Sequence, residues 1–92
     1  MADDRQKFTN ITTATTTVVK SAPGKLVHIV VNKPVAMSTI TIYDNTAGSG
    51  TKIGTVTNSA VTTPYFLDYD LRFATGLTIV TSGADDITVV YT

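Results

Sequence analysis

Residues 38–57 read STITIYDNTAGSGTKIGTVT. Ile40 and Ile42 point to one side of an extended chain, and Thr39, Thr41 and Tyr43 point to the other. That alternation has the period of a strand with one buried face. Asn45 to Gly50 carries two glycines two residues apart and reads as a turn. Thr51 to Thr57 resumes β-branched residues, so residues 38–57 predict a β-hairpin. Gly54, inside the returning strand, predicts a bulge or a close backbone approach.

Working outward, the same grammar continues in both directions. Leu26 to Val31 is apolar on both faces and predicts a central strand, bounded by Pro23-Gly24 and by Asn32-Lys33-Pro34. Ile11 to Val19 alternates too, but mostly with threonine, which suits either face. Downstream, Asn58 to Pro64 reads as a loop and Tyr65 to Phe73 as a strand rich in aromatics. Leu77 to Val80 and Ile87 to Tyr91 follow, separated by the turn Ser82-Gly83-Ala84-Asp85-Asp86. The count is about seven strands, or eight if the N-terminal segment supplies one. Turn signals every ~8–12 residues are the spacing of a sandwich or small barrel. The expectation is all-β: one small antiparallel β-sandwich, jelly-roll-like or Greek key, over residues 10–92, preceded by an arm over residues 1–9.

Composition agrees with this and excludes other classes. The 92 residues form one domain by length. There is no cysteine, which removes disulfide scaffolds, thiol catalysis and cysteine-ligated metals. A formal net charge of zero lacks the electrostatic footprint of a nucleic-acid binder. No apolar run approaches the ~20 residues of a membrane helix, and the polar start does not read as a secretion signal. Charged residues are 15%, against roughly 25% in an average domain. Glutamate is missing altogether, and threonine, valine and isoleucine dominate. Such residues fit a pleated sheet and cost entropy in a helix.

The search for a reacting centre yields little. His28 is the only histidine, lies in the most apolar strand and has no partner nearby in sequence, so it reads as structural. Asp68 and Asp70 share a strand face and could bind a cation or act as an acid/base pair, but charges guarding an exposed sheet edge are the preferred reading. Asp85-Asp86 reads as turn chemistry. Gly48-Ser49-Gly50-Thr51-Lys52 has the residues of a phosphate loop without its spacing or its helix. The Asn10-Ile11-Thr12 acceptor pattern means little without a secretion signal. Thr-x-Thr steps lack the regular repeat of an ordered hydroxyl array. No catalytic residue, metal or cofactor is expected, and the chain is not expected to be an enzyme. The remaining feature is surface: Tyr65, Phe66, Tyr69 and Phe73, with Arg72 beside them, are contact-forming types, though at least half must be core.

Three stretches in order carry a resemblance: Pro23 to Val31 (PGKLVHIVV), Ile40 to Asn45 followed by Gly50 to Gly54 (ITIYDN and GTKIG), and Thr75 to Tyr91 (TGLTIVTSG, then DDITVVY). Together, over about residues 21–92, the chain resembles the small threonine-rich β proteins of tailed-bacteriophage virions, in particular capsid decoration (cement) proteins. The resemblance implies a β-sandwich or jelly-roll module that binds the major capsid protein on the outer capsid surface, after synthesis in the host cytoplasm. It also implies a homo-oligomer, with the trimer favoured, and no cofactor, nucleic acid or membrane. On this reading, contacts are expected from Arg5, Lys7 and Phe8 of the arm and from Tyr69, Arg72 and Phe73. A head fibre, tail or adaptor component is an alternative location. A carbohydrate-binding sandwich, stacking sugars on Tyr65, Phe66, Tyr69 or Phe73, is the alternative function.

Overall fold

The computed structural model describes residues 6–60 and 63–92. Among them are eight strands: β1 (Lys7–Ile11), β2 (Thr16–Lys20), β3 (Gly24–Lys33), β4 (Thr39–Asp44), β5 (Thr51–Thr57), β6 (Tyr65–Phe73), β7 (Leu77–Thr81) and β8 (Asp86–Tyr91). They form two four-stranded sheets, ordered β1-β8-β3-β6 and β2-β7-β4-β5. Every ladder is antiparallel. The pairs β1·β8, β2·β7, β3·β6 and β4·β5 nest one inside the next, which is the jelly-roll order. Only β4 and β5 form a hairpin of consecutive strands, the one read from residues 38–57. Every other connection changes sheet.

The core lies between the sheets. Leu26, Ile29, Val31, Ile87 and Val89 come from one, and Ile40, Ile42, Leu77 and Ile79 from the other, all fully buried. β3 is central, between β8 and β6, so its outward apolar residues Val27 and Val30 are half-buried by side chains of both neighbours. Its ladder slips at Val27 against both neighbours, so Leu26, Ile29 and Val31 all point inward despite their uneven spacing. The β4–β5 ladder slips beside Gly54, where a Cβ would lie 3.2 Å from the Tyr69 hydroxyl. A side chain at Gly24 would run into the carbonyl oxygen of Thr92, so glycine is required where β3 begins.

Two expectations at the N-terminal end are revised. The arm does not extend to residue 9, because Lys7, Phe8 and Thr9 pair with Tyr91, Val90 and Val89 in β1. Nor is Ile11 to Val19 one strand: the chain leaves one sheet at Ile11 and joins the other at Thr16. Buried Thr81 makes this crossing possible. Its hydroxyl donates to the Thr13 carbonyl at 2.7 Å, and its amide donates to the Thr15 carbonyl at 2.9 Å.

Met37, just before β4, has a left-handed backbone with φ 66°. For a side-chain-bearing residue that conformation costs about 1–2 kcal/mol, which exceeds the entropic cost of glycine. Met37 is also 68% exposed, so little packing is lost on its removal. Met37→Gly is therefore expected to stabilise the fold by about 0.5–1 kcal/mol, read as a higher urea midpoint at unchanged slope.

Candidate functional site

The outward face of the β1-β8-β3-β6 sheet carries the most exposed aromatic surface. Cross-strand register places Phe8, Val90, His28 and Asp68 in one row and Asn10, Thr88, Val30 and Phe66 in the next. Phe8 is 71% exposed and Phe66 65% exposed. They stand on the two edge strands, three strand spacings or about 14 Å apart. Half-buried Val30 and Val90 fill the middle of the face. Phe8 and Phe66 add nothing to the core, and exposed aromatics beside a β-branched floor make this face the candidate contact surface.

The rim mixes the amides and hydroxyl of Asn10, Asn32 and Thr88 with the charged side chains of Lys25, Asp68, Asp70, Arg72 and Asp86. Asn10 Nδ2 donates to Asp86 Oδ1 at 2.7 Å and to the Ile87 carbonyl at 2.8 Å. Asn32 Nδ2 donates to Thr88 Oγ1 at 3.0 Å and to Asp86 Oδ1 at 3.3 Å. Lys25 pairs with Asp70 at 2.6 Å, with both side chains well exposed. Covering this face would bury the Lys25–Asp70 pair together with Asp68 and Arg72, so a partner surface must offer charges that match them.

The expected contact residues fall in different places. Arg5 lies outside the described residues. Lys7 and Phe8 are exposed on β1. Arg72 is exposed and faces outward opposite Lys25. Tyr69 is half-buried, faces the core and meets Gly54; burial pushes its hydroxyl pKa up. Phe73 is corrected: at 1% exposure it is a core residue and has no surface to offer a partner. β6 alternates strictly, so Tyr65, Leu67, Tyr69, Leu71 and Phe73 turn inward while Phe66, Asp68, Asp70 and Arg72 turn outward. Phe66 shares the parity of the charged residues, and that signal could have assigned it to the surface from sequence. Val30 and Val90 gave no such signal, because their strands are apolar on both faces.

The outward position of His28 puts it in register with Asp68, on the same half-exposed face. Of the two carboxylates read as a pair on β6, Asp70 is engaged by Lys25. Among the described residues, no group of three or more histidine or acidic side chains is placed to hold a metal ion. No helix among them is long and apolar enough to cross a membrane.

At one end of the sandwich, an open cleft of about 460 Å³ is lined by Pro23, Gly24, Asp44, Arg72, Phe73 and Ala74. The Asp44 carboxylate caps the β6–β7 turn, accepting from the amides of Ala74 at 2.9 Å and Thr75 at 2.8 Å. These bonds, that of Ala74 first, hold its pKa below the ordinary 3.8. A lowered carboxylate pKa contributes stability that is present above the unfolded-state value and is lost as pH falls through the folded one. Asp44→Asn should flatten the acid limb: between about pH 5 and pH 2 the wild type loses more melting temperature than the variant. Parallel slopes in melts across that range would rule out the cap as an acid-sensitive element.

At the other end, three loops converge on a buried polar cluster. Asp85 is 0% exposed, Asn58 2% and Ser38 7%. Asp85 Oδ1 accepts from the Val35 amide at 2.6 Å, Ser38 Oγ at 2.8 Å and Asn58 Nδ2 at 2.9 Å. The Tyr65 hydroxyl donates to Asn58 Oδ1. Burial first, and then the charge of Asp85, push the Tyr65 pKa up. The sequence reading of Asp85 as turn chemistry is thus incomplete: Asp85 organises the ends of β4, β5 and β6.

The geometry defines the class as a small eight-stranded jelly-roll sandwich with one exposed aromatic face. Comparisons of the chain with protein-family models, with curated proteins and with solved structures return no match.

Proposed function

We propose that this protein is a non-enzymatic decoration protein of a bacteriophage capsid, bound to the outer lattice of the major capsid protein as one of many copies, with a homotrimer as the favoured assembly. The observation that supports this reading is the outer face of β1-β8-β3-β6. Phe8 and Phe66 flank Val30 and Val90 there, with a rim of paired amides and charged side chains. Aromatic anchors over a floor already desolvated by its neighbours are the pattern of a contact hot spot. The resemblance in residues 21–92 supplies the partner, and the low charge supports lattice packing. Tyr65, Tyr69 and Phe73 face the core, so the alternative of a sugar-stacking platform retains only Phe66.

The test is co-sedimentation with assembled particles, using wild type and a Phe8→Ala, Phe66→Ala double variant. Each anchor is expected to contribute about 2 kcal/mol, so each loss weakens binding roughly 30-fold. Copy number separates locations: occupancy matching the capsid lattice supports decoration, and occupancy matching a vertex or tail supports an adaptor. Wild-type protein that fails to sediment with particles, or a double variant that binds as wild type does, overturns the proposed surface.

A further inference from the structure

The buried cluster at the loop end also holds the parts of an acyl-transfer centre. Ser38 directly precedes β4 and Asn58 directly follows β5. The Asn58 amide donates to the Ser38 carbonyl at 2.8 Å, so the two residues face each other across the mouth of the hairpin. Ser38 Oγ lies 2.8 Å from Asn58 Nδ2. The amide carbon is one C–N bond of ~1.33 Å beyond that nitrogen, which places it within about 4 Å of the hydroxyl oxygen. The left-handed backbone of Met37 immediately precedes Ser38, and strained backbone of this kind tends to occur where a side chain is held for a purpose.

The carboxylate straddles this pair. Asp85 Oδ2 is 2.9 Å from Ser38 Oγ, and Oδ1 is 2.9 Å from Asn58 Nδ2. Meanwhile the Tyr65 hydroxyl donates to Asn58 Oδ1, the atom on which negative charge would develop. A hydroxyl nucleophile, a base in contact with it, an amide carbonyl polarised by a donor and a proton carrier beside the leaving nitrogen therefore meet in one water-poor space. The geometry points to an intramolecular ester, formed by the folded chain between Ser38 Oγ and the side-chain carbonyl carbon of Asn58, with release of ammonia.

The step balances without any co-reactant. Asp85 Oδ1, which lies 2.8 Å from Ser38 Oγ and 2.9 Å from Asn58 Nδ2, takes the Ser38 hydroxyl proton as Oγ bonds to the Asn58 side-chain carbon. The Tyr65 hydroxyl stabilises the resulting oxyanion. The C–Nδ2 bond then breaks while Asp85 Oδ1 returns the proton to nitrogen, and ammonia departs. Asp85 ends as it began, an anion. The same burial that excludes water protects the ester from hydrolysis. The product would staple the open end of the β4–β5 hairpin, at the edge of the β2-β7-β4-β5 sheet. This inference does not depend on what the outer aromatic face binds.

Intact-mass measurement of the purified full chain decides it. The expected mass is lower than that of the sequence by one ammonia, and Ser38→Ala restores the sequence mass. Trypsin would leave Ser38 in the peptide 26–52, since Lys33 precedes proline, and Asn58 in the peptide 53–72. The two should be recovered joined in wild type and separated by hydroxylamine. Asp85→Asn should yield unjoined peptides if it folds. Because the wild-type digest is sufficient by itself, a variant that fails to fold does not block the test. Wild type at full sequence mass after prolonged incubation overturns the inference. So does an ammonia loss that persists in Ser38→Ala and maps to a succinimide at Asn58-Ser59.

Discussion

Asp85→Ala is expected to lower the free energy of unfolding by about 3–4 kcal/mol, from the loss of hydrogen bonds to three buried donors. The Val35 amide would lose its acceptor, while Ser38 Oγ and Asn58 Nδ2 would lose charge-assisted bonds and fall back on the Val35 carbonyl, at 2.9 and 3.0 Å. Each orphaned buried donor costs about 1–3 kcal/mol, and water entering the vacated volume offsets part of the sum. A domain of this size has a total stability at the low end of about 5–15 kcal/mol, so the variant would keep only about 1–2 kcal/mol and melt well below the wild type. Urea unfolding followed by circular dichroism measures the effect. A change under about 1 kcal/mol would mean that the loop end opens to water in the native state. Asp85→Asn should fall between, because the amide keeps the shape but offers a donor where three donors already point.

Phe73→Ala should cost about 3–5 kcal/mol, the range for removing a buried aromatic ring and leaving a cavity. Phe73 ends β6 and pairs with Gly24 at the start of β3, with its ring over that glycine. Gly24 has no side chain to fill the space, and the neighbours beside it are polar, the Lys20 ammonium and the Thr92 carbonyl. Phe66→Ala, on the same strand, should change stability by no more than about 0.5 kcal/mol. The pair separates packing from contact: one phenylalanine carries the fold and the other is free to carry binding. Equal losses from the two variants would mean that Phe66 is covered in solution, by another copy or another protein.

Several parts of this fold were legible in the sequence. Ile40 and Ile42 against Thr39, Thr41 and Tyr43, followed by a glycine-rich turn, define the β4–β5 hairpin because side-chain period and turn chemistry are local properties. Leu26 to Val31 announces a central strand because neighbours on both edges half-cover even its outward side chains, as they do Val30. Ile11 to Val19 failed for a related reason. Threonine satisfies either face, so the alternation continues in sequence through a point where the chain crosses from one sheet to the other. Along β6 the alternation was present, and its parity could have separated Phe66 from Phe73.

The sequence by itself determined that this is a small all-β domain, without thiols, net charge or helix-forming stretches, built of about eight strands including one hairpin. Tertiary structure alone decided the nested strand order, the crossing between sheets after Ile11 and the polar cluster at the loop end. The physical reason is separation along the chain. Alternation records that a strand has two faces, but which face is covered depends on partners supplied by the other sheet. Asp85 meets donors 27, 47 and 50 residues away, and no local pattern announces a carboxylate whose partners arrive only when three loops close over it.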